Sequence, residues 1–156
     1  MALGFADLRV SDTNLAKAGE RLREWLAQGY HGDMDYMSRH AALREDPASL
    51  QEGTVRVITV RMDYLPDEPS LRTCIDWRDE EYQKTREPQQ AVVSVYARGR
   101  DYHKILRQRL QQLADQIAEK MGPFGYRVFV DSAPVMEVEF ANKSGLGWRG
   151  KHTLLL

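Results

Sequence analysis

The chain has 156 residues, 42% of them hydrophobic and 29% charged, and a formal net charge of −1. That is enough material for one core, and near-neutral charge excludes a global electrostatic pull on nucleic acid, so any RNA contact must come from a local patch or from another part of the protein. A single cysteine, Cys74, excludes both a disulfide framework and an iron–sulfur cluster held by this chain, and with no membrane-length apolar run and no signal peptide the sequence reads as a cytoplasmic domain.

Leu8 to Val10 is a short apolar run before Ser11-Asp12-Thr13, a cluster of good N-caps. Leu15, Ala18, Leu22, Trp25 and Leu26 recur at helical spacing, and Gly29 predicts the stop. Trp25 reads as core. Tyr30 to Met37 mixes aromatics, methionines and acids beside His31 without a ligand geometry for a metal, and reads as loop-to-helix packing. Pro47 pushes Asp46 out of helical geometry, which sets Arg44 near a helix end. Gly53-Thr54 then opens a β-branched strand, Val55 to Val60. Asp63 to Gln90 is long, polar and proline-punctuated, with the acidic run Asp76 to Glu81, and reads as a mobile surface loop.

Ala91 to Tyr96 is the next predicted strand, with Ser94 and Tyr96 on one face and Val93 and Val95 on the other. Arg98 to Lys104 leads into a helix whose apolar stripe is Ile105, Leu106, Leu110, Leu113, Ile117 and Met121, ended by Gly122-Pro123. Two arginines, an aspartate, a tyrosine and a histidine surround Gly99 in that turn, a composition suited to gripping phosphate, while Asp101 reads as the helix cap. Val128 to Val130 is read as a buried strand ending in Asp131. Ser132 then caps a helix with Pro134 in its first turn, and Gly145 stops it. Met136 to Phe140 alternates like a strand, but Met136 with Phe140 and Glu139 with Lys143 also pair at helical spacing, and helix is chosen. A carboxylate at a sheet's rim is either a plain cap or an acid in a pocket, and the residues alone leave both open. Gly147 and Gly150 flank Trp148, so backbone there can approach a flat ligand under an indole, or simply form a connector. The expected fold is α+β: one domain, 1–156, with a mostly antiparallel sheet from strands near Val55, Val92 and Val128 against helices near Leu15, Leu106 and Val135.

Three motifs, in order, carry a resemblance: Gly99-Arg100-Asp101-Tyr102-His103-Lys104, Phe129-Val130-Asp131-Ser132-Ala133-Pro134, and the run from Lys143 to His152. They resemble the amino-terminal, cobalamin-binding domain of epoxyqueuosine reductase, and the likeness runs from Leu3 to Leu156. The resemblance implies part of a tRNA-modifying enzyme that reduces epoxyqueuosine to queuosine with cobalamin and [4Fe-4S] clusters. The clusters are expected only in a downstream domain, so the chain is expected to be a fragment, inactive alone. By resemblance Asp131 is the proton donor. Arg44, Ser94, Tyr96, Asp131, Leu146, Gly147, Trp148 and Gly150 would meet the cofactor, and Arg100, Tyr102 and His103 the substrate. The chain departs from the family's pattern at Val95 and Val138, where arginine is usual; each swap removes a charge and a bidentate donor. Two rival expectations stand beside this one: a non-catalytic, truncated relative holding a corrinoid or a partner, and a nitroreductase-like flavin domain.

Overall fold

Val57, Ile58, Thr59 and Val60 are four β-branched residues in a row, and they form β2 (Val57–Arg61). Its partner is β1 (Asp7–Ser11), antiparallel, with Asp7 opposite Arg61 and Ser11 opposite Val57. The computed structural model describes residues 3–64, 79, 82–87 and 91–156. The helices bounded among the described residues are α1 (Ala16–Ala27), α2 (Asp35–Arg39), α3 (Ala41–Glu45), α4 (Tyr102–Met121) and α5 (Glu137–Lys143), with 3-10 turns at Pro47–Ser49 and Val95–Ala97. The fold is α+β. Its larger unit is Met1–Met62 with Leu106–Leu156, and its smaller unit is Asp63–Ile105. Cys74, the acidic run Asp76 to Glu81 apart from Asp79, and most of the expected surface loop lie outside the described residues.

Two expected strands are not formed. Among the described residues Ala91 to Ser94 makes no ladder, and Val95 opens the 3-10 turn. Val128 to Val130 is likewise unpaired among the described residues, although Val130 is buried. At Val130 the apolar, β-branched signal reported burial and not pairing, since both select the same side chains, whereas Val92 and Val93 are exposed. The second strand of the sheet comes instead from Asp7–Ser11, which contains the short apolar run Leu8 to Val10 that the sequence did not assign to the sheet.

Helix ends follow local chemistry. Ser11, Asp12 and Thr13 do not cap α1; Asp12 Oδ1 accepts the Asn14 N–H (2.8 Å), and Asn14 Oδ1 accepts the Ala16 N–H (3.0 Å). At the other end Gly29 takes φ +70°, its N–H donates to the Leu26 carbonyl, and the Tyr30 N–H donates to that of Trp25. Gly145 repeats this stop after α5, at φ +76°, with its own N–H on Asn142 and that of Leu146 on Ala141. Both are Schellman closures, which favour glycine because the left-handed residue is strained by a Cβ.

α5 carries the centre of the larger unit. Phe140 is 1% exposed and packs with Leu15 and Ala18, while Val57, Val135 and Met136 close around it. Glu139 on the same helix accepts Arg21 Nη2 (3.0 Å) and Arg149 Nη1 (2.7 Å). Ser144, just past its end, lies 2.9 Å from Thr59 Oγ1 of β2. One short helix therefore ties α1, the sheet and the segment after Gly145 together.

Candidate functional site

Asp131 does not end a strand, and Ser132 does not cap a helix. The Ser132 N–H donates to the Val130 carbonyl (2.6 Å), closing a three-residue turn with Asp131 at its centre and φ +54°. A γ-turn of this hand is rare and strained, at a cost of about 1–3 kcal/mol for a residue with a side chain. A second three-residue turn follows, in which the Val135 N–H donates to Ala133 (2.8 Å) around Pro134, whose ring fixes a suitable φ. These two turns delay the helix until Glu137, with Met136 as its boundary residue.

What holds the turn is a second carboxylate. The Asp131 N–H donates to Glu137 Oε1 at 3.2 Å. Burial pushes the Glu137 carboxyl above its ordinary range, and the neighbouring Asp131 charge pushes it the same way, while the hydrogen bond from the Asp131 backbone opposes both. A carboxyl raised in the folded state stabilises the fold when protonated; that contribution is complete below its unfolded value near about 4.3 and is lost as pH rises through the folded one. Burial therefore makes an ionised Glu137 costly to the fold. Glu137→Gln keeps an acceptor oxygen and removes the charge. Its urea midpoint at pH 7 is expected to match or exceed that of the parent, with a flatter pH dependence above pH ~4. A lower midpoint at pH 7 would show that the charge itself holds the turn.

The run from Gly147 to Leu156 folds back on itself. Trp148 and Leu156 exchange N–H to carbonyl bonds of 2.9 and 2.8 Å, and the Gly150 N–H donates to Leu154 (2.8 Å). A Cβ on Gly147 would strike the Leu156 carbonyl, and one on Gly150 would meet the His152 ring at 2.5 Å. The close approach that these glycines permit is taken by the chain itself, by the Leu156 carbonyl at Gly147 and the His152 ring at Gly150. Leu146 is buried and its N–H is spent on the helix stop, so its side chain faces the interior. The Trp148 indole is 66% exposed. Arg149, between Trp148 and Gly150, is anchored on Glu139, and Asp131 on Glu137, so both segments are fastened to the first turn of α5.

Arg44 lies in the last turn of α3, and its buried Nε has no hydrogen-bond partner among the described residues. An unpaired buried donor is costly, about 1–3 kcal/mol, and marks a place where an acceptor is missing. Ser94, Tyr96, Arg100, Tyr102 and His103 belong to the smaller unit. There Tyr64, Tyr96 and Tyr102 form a chain of edge contacts (6.3 and 5.7 Å), and Tyr102 stacks on His103 at 4.0 Å. Asp101 caps α4 as expected: Oδ1 accepts the His103 N–H and lies 3.0 Å from the His103 ring nitrogen, a bond that holds the Asp101 carboxyl below its ordinary range. Ser94 and Arg100 are exposed.

Sequence reasoning missed Glu137 as the partner of Asp131. The available signal was two acids flanking a Ser-Ala-Pro turn. It also missed an open groove of about 460 Å³ in the larger unit, lined by Arg107 and Gln111 of α4 and by Tyr126, Arg127, Phe129 and Ser132. Among the described residues no group of three or more His, Cys, Asp or Glu is placed to hold a metal ion, and no helix is long and apolar enough to cross a membrane.

Comparison with known proteins bears on the same segments. The chain is 57% identical over 154 residues to an epoxyqueuosine reductase of Alicycliphilus denitrificans, a match covering 99% of this chain and 42% of that protein. It is 44% identical to the epoxyqueuosine reductase of Escherichia coli, covering all of this chain and 38% of the relative. The chain thus spans about two-fifths of the length of the curated relatives it matches. In fold it is similar to the epoxyqueuosine reductase structure from Streptococcus thermophilus, with a TM-score of 0.70 at 19% identity, over 99% of this chain and 39% of that one. The profile of the family described as epoxyqueuosine reductase QueG, DUF1730, matches residues 44–132, more than half of the chain and a span that includes both Arg44 and Asp131. The chain belongs to that family.

Proposed function

We propose that this chain is the corrinoid-binding portion of a cytoplasmic, tRNA-modifying oxidoreductase that converts epoxyqueuosine to queuosine. The observation that carries the reading is Asp131, a charged residue held in a strained turn by Glu137, inside the segment matched by the family profile. Strain at a single polar residue persists where the surroundings fix it, and such residues cluster at functional sites.

Cobalamin fits the residues present. Arg44 has an orphaned buried donor suited to an amide or phosphate oxygen, and Trp148 offers an exposed indole. Bound cobalamin supplies the two electrons that the reduction of an epoxide to an alkene requires. This chain's own contribution is a proton: of the two that the departing oxygen needs to leave as water, Asp131 gives one and solvent the other. Asp131 is exposed here, so the apolar cover that would keep its carboxyl protonated near neutral pH must come from the ligand and the rest of the protein. Arg44 and the Trp148 indole bind and orient, with Gly147 and Gly150 shaping the folded-back ribbon that carries the indole, while Ser94, Tyr96, Arg100, Tyr102 and His103 serve the cofactor or the substrate. Iron–sulfur clusters do not fit this chain, whose lone cysteine cannot hold one.

A desalting column separates this reading from its rivals. The purified chain, mixed with hydroxocobalamin, is expected to carry the corrinoid spectrum through the column and to leave flavin mononucleotide behind. Coelution of the flavin alone would replace the proposal with a nitroreductase-like one.

A further inference from the structure

We propose that the groove between α4 and residues 126–134 grips the sugar–phosphate backbone of a single-stranded stretch of RNA beside the reacting nucleotide; this rests on, and deepens, the reading of Asp131 given above. Arg107 and Gln111 stand one turn apart on α4, so they share the face that forms one wall. Arg127 forms the other. Its Nη1 donates to the Leu50 carbonyl (2.9 Å) and its guanidinium lies over the Phe129 ring at 5.1 Å, which holds the group in place and leaves most of its five donors for a ligand. Arg107 makes no hydrogen bond or ion pair among the described residues. The lining contains these two guanidinium groups and no carboxylate. Asp115, a turn further along α4, accepts the Tyr126 hydroxyl (3.0 Å) and Gln111 Nε2 (3.3 Å).

Two local cations matter here because the chain as a whole, at a net charge of −1, offers polyanions no general attraction. Three further observations favour RNA strand over another anion. Phe124, an exposed ring, lies 5.5 Å from Tyr126, and aromatic rings beside arginines are the platform on which unpaired bases stack. Ser132, Ala133 and Pro134 line the groove and follow Asp131 directly in the chain, so a strand lying there continues from the site of proton delivery. A volume of about 460 Å³ also accommodates a nucleotide-sized group.

The test is fluorescence anisotropy of the full chain with a fluorescein-labelled single-stranded RNA of roughly 12 nucleotides, repeated from about 50 to 200 mM salt. Binding is expected to weaken with salt. Arg107→Gln should lower affinity about fivefold to tenfold at the lowest salt and reduce the log–log salt slope by roughly 0.7, the value of one single-strand phosphate contact. Phe124→Ala should weaken binding while leaving the slope unchanged, as loss of stacking does. Both positions are exposed, so neither change disturbs the core. No binding by the parent chain, an affinity unaltered in Arg107→Gln, equal affinity for duplex RNA, or full displacement by millimolar inorganic phosphate would each overturn the proposal. Corrinoid retention by the same variants is read separately. Retained corrinoid with unaltered RNA binding sinks the groove alone, whereas loss of corrinoid binding by the parent chain sinks the reading on which it rests.

Discussion

Asp131→Asn, carried in a polypeptide of the family's full length, is expected to retain cobalamin and to lose about 10²–10⁴-fold in turnover, the range typical of a positioned general acid. The substitution is chosen for what it leaves alone. Asparagine tolerates the left-handed region as well as aspartate does, so the γ-turn at φ +54° survives. The N–H that donates to Glu137 is backbone and is also untouched. What goes is the carboxyl, with its transferable proton and the charge it sets beside Glu137. Single-turnover kinetics with pre-reduced cofactor check this directly, since they separate the proton-dependent step from electron supply. Near-normal turnover would remove Asp131 from the mechanism and leave its strained turn without a catalytic explanation.

Phe140→Ala is expected to destabilise the chain by about 3–5 kcal/mol, the usual cost of emptying an aromatic core site. Few replacements elsewhere should cost as much, because Phe140 is the largest fully buried side chain and sits where Leu15, Ala18, Val57, Val135 and Met136 converge. Against a typical total of about 5–15 kcal/mol, such a loss brings the fold near its threshold. Urea denaturation should show the midpoint fall sharply with the slope unchanged. Function should follow stability, because α5 holds the Asp131 turn through Glu137 and the Trp148 segment through Glu139. A loss below about 1 kcal/mol would mean that the cluster re-packs around the vacancy and that α5 is not the keystone described here.

Legibility in the sequence varied with how local the cause was. The α1 stripe, the α4 stripe except for its last member Met121, which is exposed, the glycine stops at Gly29 and Gly145, the Asp101 cap and the effect of Pro47 on Asp46 were all readable, because each depends on residues within one turn. Sheet pairing was not, since Asp7–Ser11 meets Val57–Arg61 across some fifty residues and neither run names its partner. Val128 to Val130 shows the limit from the other side: a partly buried, β-rich run stays unpaired among the described residues. At the candidate site the residue type of Asp131 was legible and its backbone was not. Nothing local in Val-Asp-Ser-Ala-Pro distinguishes a cap from a γ-turn; the difference is Glu137, brought back by α5. The glycines beside Trp148 were legible as a demand for close approach, but what approaches is the 154–156 backbone. The smaller unit contains Ser94, Tyr96, Arg100, Tyr102 and His103, so motif order along the chain assigned them to one function without showing how it is shared.

The central claim is that the Asp131 turn and the Trp148 segment, both fastened to the first turn of α5, jointly form one wall of a corrinoid site. Titrating isotope-labelled chain with hydroxocobalamin and following its amide and indole resonances tests this most directly. The account predicts that Asp131, Ser132 and the Trp148 indole shift together, with one shared binding curve. Shifts confined to one of the two segments, or to neither while the corrinoid is bound, would contradict it.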